Sequence, residues 1–278
     1  MSKNRLKLVL ISLVLFPSFL FSDTLKIATF NIRIFSNKSR SETELNYTAE
    51  ILKKYDVVAI QELRDEQVLR RTIYVLKKKG YEYDYEISPK VGRKVKELYA
   101  FLFRKNKVKM IKKGKLYSER KDEFIREPFY ATFKSGNFDF TLITIHVIYG
   151  KSKAERKQEV RELGVVYNKI QDEDSNEQDV ILLGDFNLPP TDAAFNLLKT
   201  ISTMIFLIKP PAKTTITDRS LFDNFWFQKK YVREFTEEYG IDKFDEVMFN
   251  NNDKIAKKIV SDHRPVWAKF NTSLEDDD

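Results

Sequence analysis

Apolar residues along this chain fall into two kinds of run. Short blocks rich in β-branched and aromatic residues occupy residues 25–34, 57–60, 99–103, 138–147 and 180–183 and read as buried strands. Between them the spacing changes to three and four. Leu45, Ala49, Leu52 and Tyr55 follow a capping-box pattern at Ser41 and Glu44, and Leu69, Ile73 and Leu76 form a second helical stripe that Gly80 closes. A third helix opens at Ser152 and Glu155 and carries Val160, Leu163, Tyr167 and Ile170 on one face, and a short one holds Phe195 and Leu198. Further strands are expected around residues 108–111 and at 221–227, 244–249 and 266–270, with a polar, basic loop over 81–98 and a solvated excursion over 112–127. No repeat or linker interrupts this order. Helices and buried strands mixed in one segment predict a single α/β layered sandwich over residues 23–272.

The strands share a second property: polar residues gather at their ends. Asn31, Glu62, Glu97, His146, Asp185, Asn187, Asp223, Asp262 and His263 each follow or close an apolar run. The stretch Asp179-Val-Ile-Leu-Leu-Gly-Asp-Phe-Asn-Leu-Pro-Pro190 is the clearest case. On extended backbone, positions i and i+2 project to one face, so Asp185 and Asn187 point together, and Pro189-Pro190 stops the strand. A carboxylate beside an amide suits a hard metal ion, a water or a phosphate in transfer. The same residues also make ordinary turns. The chain has two histidines, and both belong to this set, one beside Asp262. A single strand histidine is more often structural; two at strand ends point toward proton transfer. Ser261-Asp-His-Arg-Pro265 alone also reads as a polar turn.

The first residues change the picture of where the protein works. Lys3, Arg5 and Lys7 precede a mostly apolar stretch over 8–21, and Ser22 is small, the layout of a secretory signal peptide covering residues 1–22. The apolar stretch is short for a membrane span and contains Pro17. A secreted protein, extracellular or periplasmic, without stable membrane association and monomeric, is the expectation. Cysteine is absent, so packing must provide the stability. The formal net charge is +8, and loss of the three leader cations takes it to +5; residues 273–278 form an acidic tail, leaving the body more basic. Such a balance suits a polyanionic partner.

Six stretches, in order, resemble one family: Leu25-Lys-Ile-Ala-Thr-Phe-Asn-Ile-Arg33, Asp56-Val-Val-Ala-Ile-Gln-Glu-Leu-Arg-Asp65, Glu97-Leu-Tyr-Ala-Phe-Leu-Phe-Arg104, Ile125-Arg-Glu-Pro128, Gly184-Asp-Phe-Asn187 and Ser261-Asp-His-Arg-Pro-Val266. They are similar to the endonuclease/exonuclease/phosphatase superfamily and, within it, to the deoxyribonuclease I branch, over essentially residues 24–270. The resemblance implies a four-layered sandwich of two packed mixed β-sheets flanked by helices, and a Mg2+-dependent phosphodiesterase with Mn2+ or Ca2+ in support. It makes Glu62 the main metal ligand, with Asn31 and Asp262 beside it. It pairs His146 with Glu97 and His263 with Asp223, and gives Asp185 and Asn187 the water or the phosphate. Arg64 and Arg126 match DNA-contacting arginines, and Arg33 and Arg93 lie close to the same motifs. Phosphodiester hydrolysis needs an activated water, relief of phosphoryl charge and a protonated leaving group. We assign His263–Asp223 as base and His146–Glu97 as acid, with Asp185 a rival base.

The chain departs from the family in the loop Gly92-Arg-Lys-Val-Lys96, one residue shorter, where Val95 stands in place of an expected DNA-stacking tyrosine. Pro189 and Ala212 stand where calcium ligands would be expected, which implies weaker calcium dependence. The favoured reading is a secreted DNA endonuclease with little sequence specificity. Two alternatives stand beside it. One is a phosphoesterase of the same fold acting on phospholipid or other phosphoesters, of the phosphoinositide phosphatase or sphingomyelinase type, for which Ile205-Phe-Leu-Ile208 would be the membrane-contacting stretch. The other is a catalytically silent nucleic-acid-binding module.

Overall fold

The computed structural model describes residues 24–275 except Asn176; the leader and the last tail residues lie outside them. Two six-stranded sheets pack face to face. The first has the order β11-β12-β1-β2-β4-β3, formed by Phe235–Ile241, Val266–Asn271, Thr24–Phe35, Val57–Leu63, Leu98–Arg104 and Tyr83–Ile87. The second has the order β5-β6-β7-β8-β10-β9, formed by Lys109–Leu116, Phe129–Ser135, Phe138–His146, Val180–Asp185, Asp223–Gln228 and Met204–Phe206. Parallel pairs (β1 with β2, β7 with β8) sit at the centre of each sheet, and antiparallel strands flank them. Helices α1 (Glu42–Leu52), α2 (Glu66–Lys78), α5 (Phe244–Phe249) and α6 (Asp253–Ile259) cover the first sheet; α3 (Lys153–Gln171) and α4 (Asn196–Thr200) cover the second.

Period-two alternation sorts the strand residues into layers. Leu25 and Ile27, Val57 and Ala59, Phe101 and Phe103, Phe138, Phe140 and Leu142, Ile181 and Leu183, Phe225 and Phe227 meet between the sheets. Their neighbours turn to the helices, as Phe30 and Ile32 do toward α5 and Val180 and Leu182 toward α3. Asn31, Glu97, His146, Asp185 and Asp223 continue the inner-face parity at one end of their strands. The dry inter-sheet core therefore becomes polar at a single edge.

Three of the four strands absent from the sequence expectation are sheet edges, β3, β9 and β11, and the fourth edge, β5, is the strand expected around 108–111. One sheet neighbour and one solvated side remove the apolar alternation, and β5, Lys-Met-Ile-Lys-Lys-Gly-Lys-Leu, carries lysines that discourage further pairing. The loop expected over 81–98 thus contains β3, and β5 runs past its expected end at 111 into the first part of the expected excursion. The fourth missed strand, β6, is internal; alternating Phe129, Ala131 and Phe133 carry its signal. Residues 244–249 are a helix, not the expected strand, because Phe244 and Met248, one turn apart, both pack on the first sheet's helical layer. Helix α6 was also unforeseen. Leu207 and Ile208 are core residues, and Ile205 and Phe206 lie in β9, so the apolar stretch at 205–208 does not project as a membrane-contacting loop. Among the described residues no helix is long and apolar enough to cross a membrane.

Candidate active site

The polar edge of the sandwich is an open cleft of about 420 Å³ lined by Arg33, Ile34, Glu62, Arg64, His146, Tyr149, Asp185, Asn187, Thr215, Phe222, Asp262 and His263. Strand register assembles it. In parallel β7 and β8, His146 lies beside Asp185; in antiparallel β8 and β10, Asp185 opposes Asp223. Gly184 permits this approach, since a Cβ there would meet the Ile145 carbonyl oxygen at 2.1 Å. Glu62 breaks the alternation that would have turned it to the helices. It takes a left-handed φ of 58° at a register shift of β2, and its carboxylate accepts from Asn31 Nδ2 at 3.3 Å and from the Ile34 amide at 2.9 Å.

Two imidazoles face each other across this edge. His146 Nδ1 meets Glu97 Oε2 at 2.8 Å, and His263 Nδ1 meets Asp223 Oδ2 at 2.9 Å. Each Nε2 is therefore turned away from its carboxylate, and both approach the same atom, Asp185 Oδ2, at 3.6 Å from His146 and 3.7 Å from His263. Asp185 is held by Asn31 Nδ2 at 2.9 Å and by the Asn187 amide at 2.9 Å; Asn187 in turn donates its side chain to the Val147 carbonyl at 2.8 Å. Burial favours the neutral imidazole, but Asp223 and Asp185 outweigh it and push His263 up to about 10. His146 is also raised, with burial and Arg126 opposing the pull of Glu97. Glu97 is held at about 2, because His146, Arg126 and Arg64 together overcome its burial.

The arginines divide by use. Arg126 Nη2 lies 2.9 Å from Glu97 Oε1 while Nη1 donates to the His146 carbonyl at 3.1 Å, and Arg64 reaches both Glu97 and Glu62 at 3.4 Å. Arg33 lines the cleft; Arg93 is exposed on the loop before β4 and is not among the cleft's lining residues. Asp262 faces the cleft with Oδ2 2.6 Å from Lys257 Nζ.

Three supporting residues escaped the sequence reading. Ser261, fully buried, donates to the Asn31 carbonyl at 2.6 Å and accepts from the His263 amide at 3.2 Å, tying β1 to the histidine loop. Arg264, 1% exposed, forks onto Asp245 at 2.8 and 2.6 Å and pins that loop to α5. Glu159 on α3 accepts from the Ile125 and Ile148 amides at 2.6 and 2.8 Å, joining the loops that carry Arg126 and Tyr149. Burial raises its pKa. Each has a partner on another element, as Ser261 has Asn31 on β1, and no local signal marks such contacts.

Two oxygen sets are candidates for a cation. Asp185, Asp223 and His263 place ligand atoms within 4.8 Å of one another. In that trio, however, the Nδ1 contact already engages Asp223, and Nε2 has Asp185 beside it. The set of Asn31, Glu62 and Asp262 fits better. Asn31 is buried, and its Oδ1 has no hydrogen-bond partner, an acceptor left waiting beside carboxylates. Carboxylate and amide oxygens suit a hard divalent ion.

The endonuclease/exonuclease/phosphatase family model matches residues 28–263. The chain belongs to that family. Within this family it falls in the deoxyribonuclease I branch: a "Deoxyribonuclease" of Thioalkalivibrio sp. (strain K90mix) is 32% identical over 276 residues, covering 93% of this chain and 74% of that protein. "Deoxyribonuclease-1" of Bos taurus is 33% identical over 211 residues, covering 70% of this chain and 73% of that one. Among solved structures, D. rerio TDP2 complexed with single strand DNA product superposes with a TM-score of 0.61 at 20% identity, covering 90% of this chain and 99% of that one. The human Nocturnin catalytic domain gives 0.62 at 15%, covering 89% and 94%. These two likenesses show the shared fold of the endonuclease/exonuclease/phosphatase family: two mixed sheets with flanking helices.

Proposed function

We propose that this protein is a secreted, divalent-metal-dependent endonuclease that hydrolyses phosphodiester bonds of DNA with little sequence specificity. The observation that carries the reading is the convergence of both imidazole Nε2 atoms on Asp185 Oδ2, at 3.6 and 3.7 Å, with each Nδ1 held by a carboxylate. A phosphate oxygen or a water beside Asp185 Oδ2, on the cleft side, would meet two proton carriers at once. The names of the relatives favour DNA as the substrate, and the basic balance of the chain fits a polyanion.

Asn31, Glu62 and Asp262 would hold a divalent ion, with Mg2+ the first choice and Mn2+ or Ca2+ in support. Bound there, it would relieve charge on the phosphoryl oxygens and favour a water's loss of its proton. The chain's own residues do the rest. Asp185 and Asn187 position the attacking water or a phosphoryl oxygen. His263, next to Asp262, takes the water's proton at Nε2 while Asp223 steadies the resulting imidazolium through Nδ1. His146, held by Glu97, gives its Nε2 proton to the leaving alkoxide. Arg64 and Arg126 keep Glu97 ionised and offer their remaining donors to the backbone phosphates, and Arg33 does so from β1. Arg93 contributes field more than contact. The leader over residues 1–22 supports export, and the reading is of a monomer without stable membrane association.

Plasmid nicking tests this. Supercoiled DNA should relax with Mg2+, stay intact with EDTA, and stay intact with His146→Ala or His263→Ala. Folded protein that leaves plasmid untouched with every divalent cation tried would remove the nuclease reading and direct attention to phosphate release from phospholipid head groups.

A further inference from the structure

Tyr149 has no part in the proton transfers described above, yet it lines the same cleft as His146, Asp185 and Asn187. It is also among the more exposed large hydrophobic side chains of the described residues, at 59%. The ring does not hang free. Arg156 of α3 sets its guanidinium carbon 4.0 Å from the ring centroid, and Arg156 itself is buried, with Nη1 donating to the Asn187 carbonyl at 3.2 Å. One contact thus couples the ring to the loop that carries Asp185 and Asn187, and a guanidinium against an aromatic face fixes its orientation.

The backbone on either side is held as well. The Ile148 amide donates to Glu159 at 2.8 Å and the Lys151 amide to Glu155 Oε2 at 2.9 Å. Gly150 between them takes a left-handed φ of 62°, a conformation that favours glycine. Tyr149 is therefore a rigid aromatic plate beside a phosphate-handling site, backed by charge and largely open to solvent. Val95, exposed on its loop, provides no aromatic face.

Phosphate contacts make no use of such a plate. The neighbouring group with a matching surface is the nucleobase, whose π-face stacks on an aromatic ring whatever its sequence. In an intact duplex the base faces are already covered by their neighbours and only edges reach the grooves. A base that has left the stack, in a single strand or a frayed end, has a face to give. We propose that Tyr149 is a stacking platform for an unpaired base next to the scissile phosphate, giving the enzyme a grip on single-stranded DNA beyond its backbone contacts. The inference rests on the reading of the cleft as a DNA phosphodiester site.

The test measures binding, so that it does not depend on turnover. Single-stranded oligodeoxynucleotides, intact or with one abasic nucleotide at successive positions, are titrated by fluorescence anisotropy in Mg2+ against His146→Ala protein with Tyr149, Tyr149→Ala or Tyr149→Phe. Thermal melting checks that each variant folds. Stacking strengths predict that Tyr149→Ala raises Kd for the intact strand about 5- to 150-fold. Tyr149→Phe should stay within about 3-fold, since stacking needs the ring and not the hydroxyl. The alanine penalty should shrink to about 2-fold on the one oligonucleotide whose missing base is the stacked one. An unchanged penalty on every abasic strand, a phenylalanine variant as weak as alanine, or no saturable single-strand binding at all would overturn the proposal. Absence of plasmid nicking by the unaltered protein, with the abasic dependence intact, would instead overturn only the catalytic reading.

Discussion

The two histidine–carboxylate pairs are chemically alike and electrostatically opposite. Glu97 serves His146 and two guanidiniums, Arg126 at 2.9 Å and Arg64 at 3.4 Å. Asp223 serves His263, and the next charges are more carboxylates, Asp185 and Asp262. Cations around Glu97 hold its carboxyl at about 2, with Arg126 opposing a proton on His146. Anions around His263 push it up to about 10, while burial and Asp185 raise Asp223, with His263 opposing them. A cation on Asp262 would offset that excess of negative charge and favour the neutral imidazole that a base requires. The pair without arginines thus stands beside Asp262, and the pair with them stands beside the proposed phosphate contacts, with Arg64 linking it to Glu62.

Removing either imidazole should produce the largest effect. His146→Ala and His263→Ala should each lower plasmid nicking about 100- to 10,000-fold, the range of general acid–base catalysis. If one variant kept near-full activity, the two-proton-carrier reading would lose that half.

Stability should separate the pairs next. Glu97→Gln leaves Arg64, Arg126 and His146 around a neutral amide and should cost about 3–5 kcal/mol in urea unfolding, as when a buried charge loses its partner. Asp223→Asn should cost less, under about 2 kcal/mol, because burial and Asp185 already disfavour its charge. Equal costs would show that the arginines do not matter to the comparison.

The acid limb of stability should belong to Glu97. Its carboxyl lies below the ordinary 4.5, so its contribution is complete above that value and is lost as pH falls toward about 2. His146, raised above 6.5, acts in the other sense: its contribution is complete below 6.5 and is lost as pH climbs through its raised value. Urea unfolding at pH 3 and pH 5 should therefore differ less for Glu97→Gln than for the unaltered protein, and an unchanged difference would assign the acid limb elsewhere.

The smallest effect is expected on the rim. Arg93→Ala should change nicking by about 2-fold or less, while the overall rate falls steeply with added salt as counterions are released. A salt-independent rate would count against a polyanionic substrate.

Much of this site was legible because strand physics repeats locally. Asp185 and Asn187 stood out where an apolar run met Gly and Pro, and both histidines lay at strand ends. Ser261, Glu159 and Arg264 did not stand out, since each works through partners on other elements; Ser261 Oγ, for example, bonds the Asn31 carbonyl, 230 residues away. Three of the edge strands were similarly silent. β3 and β11 take half their definition from a single neighbour, and their polar composition reads as loop until that neighbour is present.

Local chain chemistry is enough for the layers, the inner-face parity that ends in Asn31, Glu97, His146, Asp185 and Asp223, and the caps that start α1 and α3, because each depends on periodicity or on contacts within a few residues. Packing between distant elements turns Glu62 out of its alternation at a bulge, gathers Arg64 and Arg126 on Glu97, and brings both Nε2 atoms to Asp185. Those are relations between elements, and their energies arise only when the two sheets bring distant charges into a shared, water-poor edge.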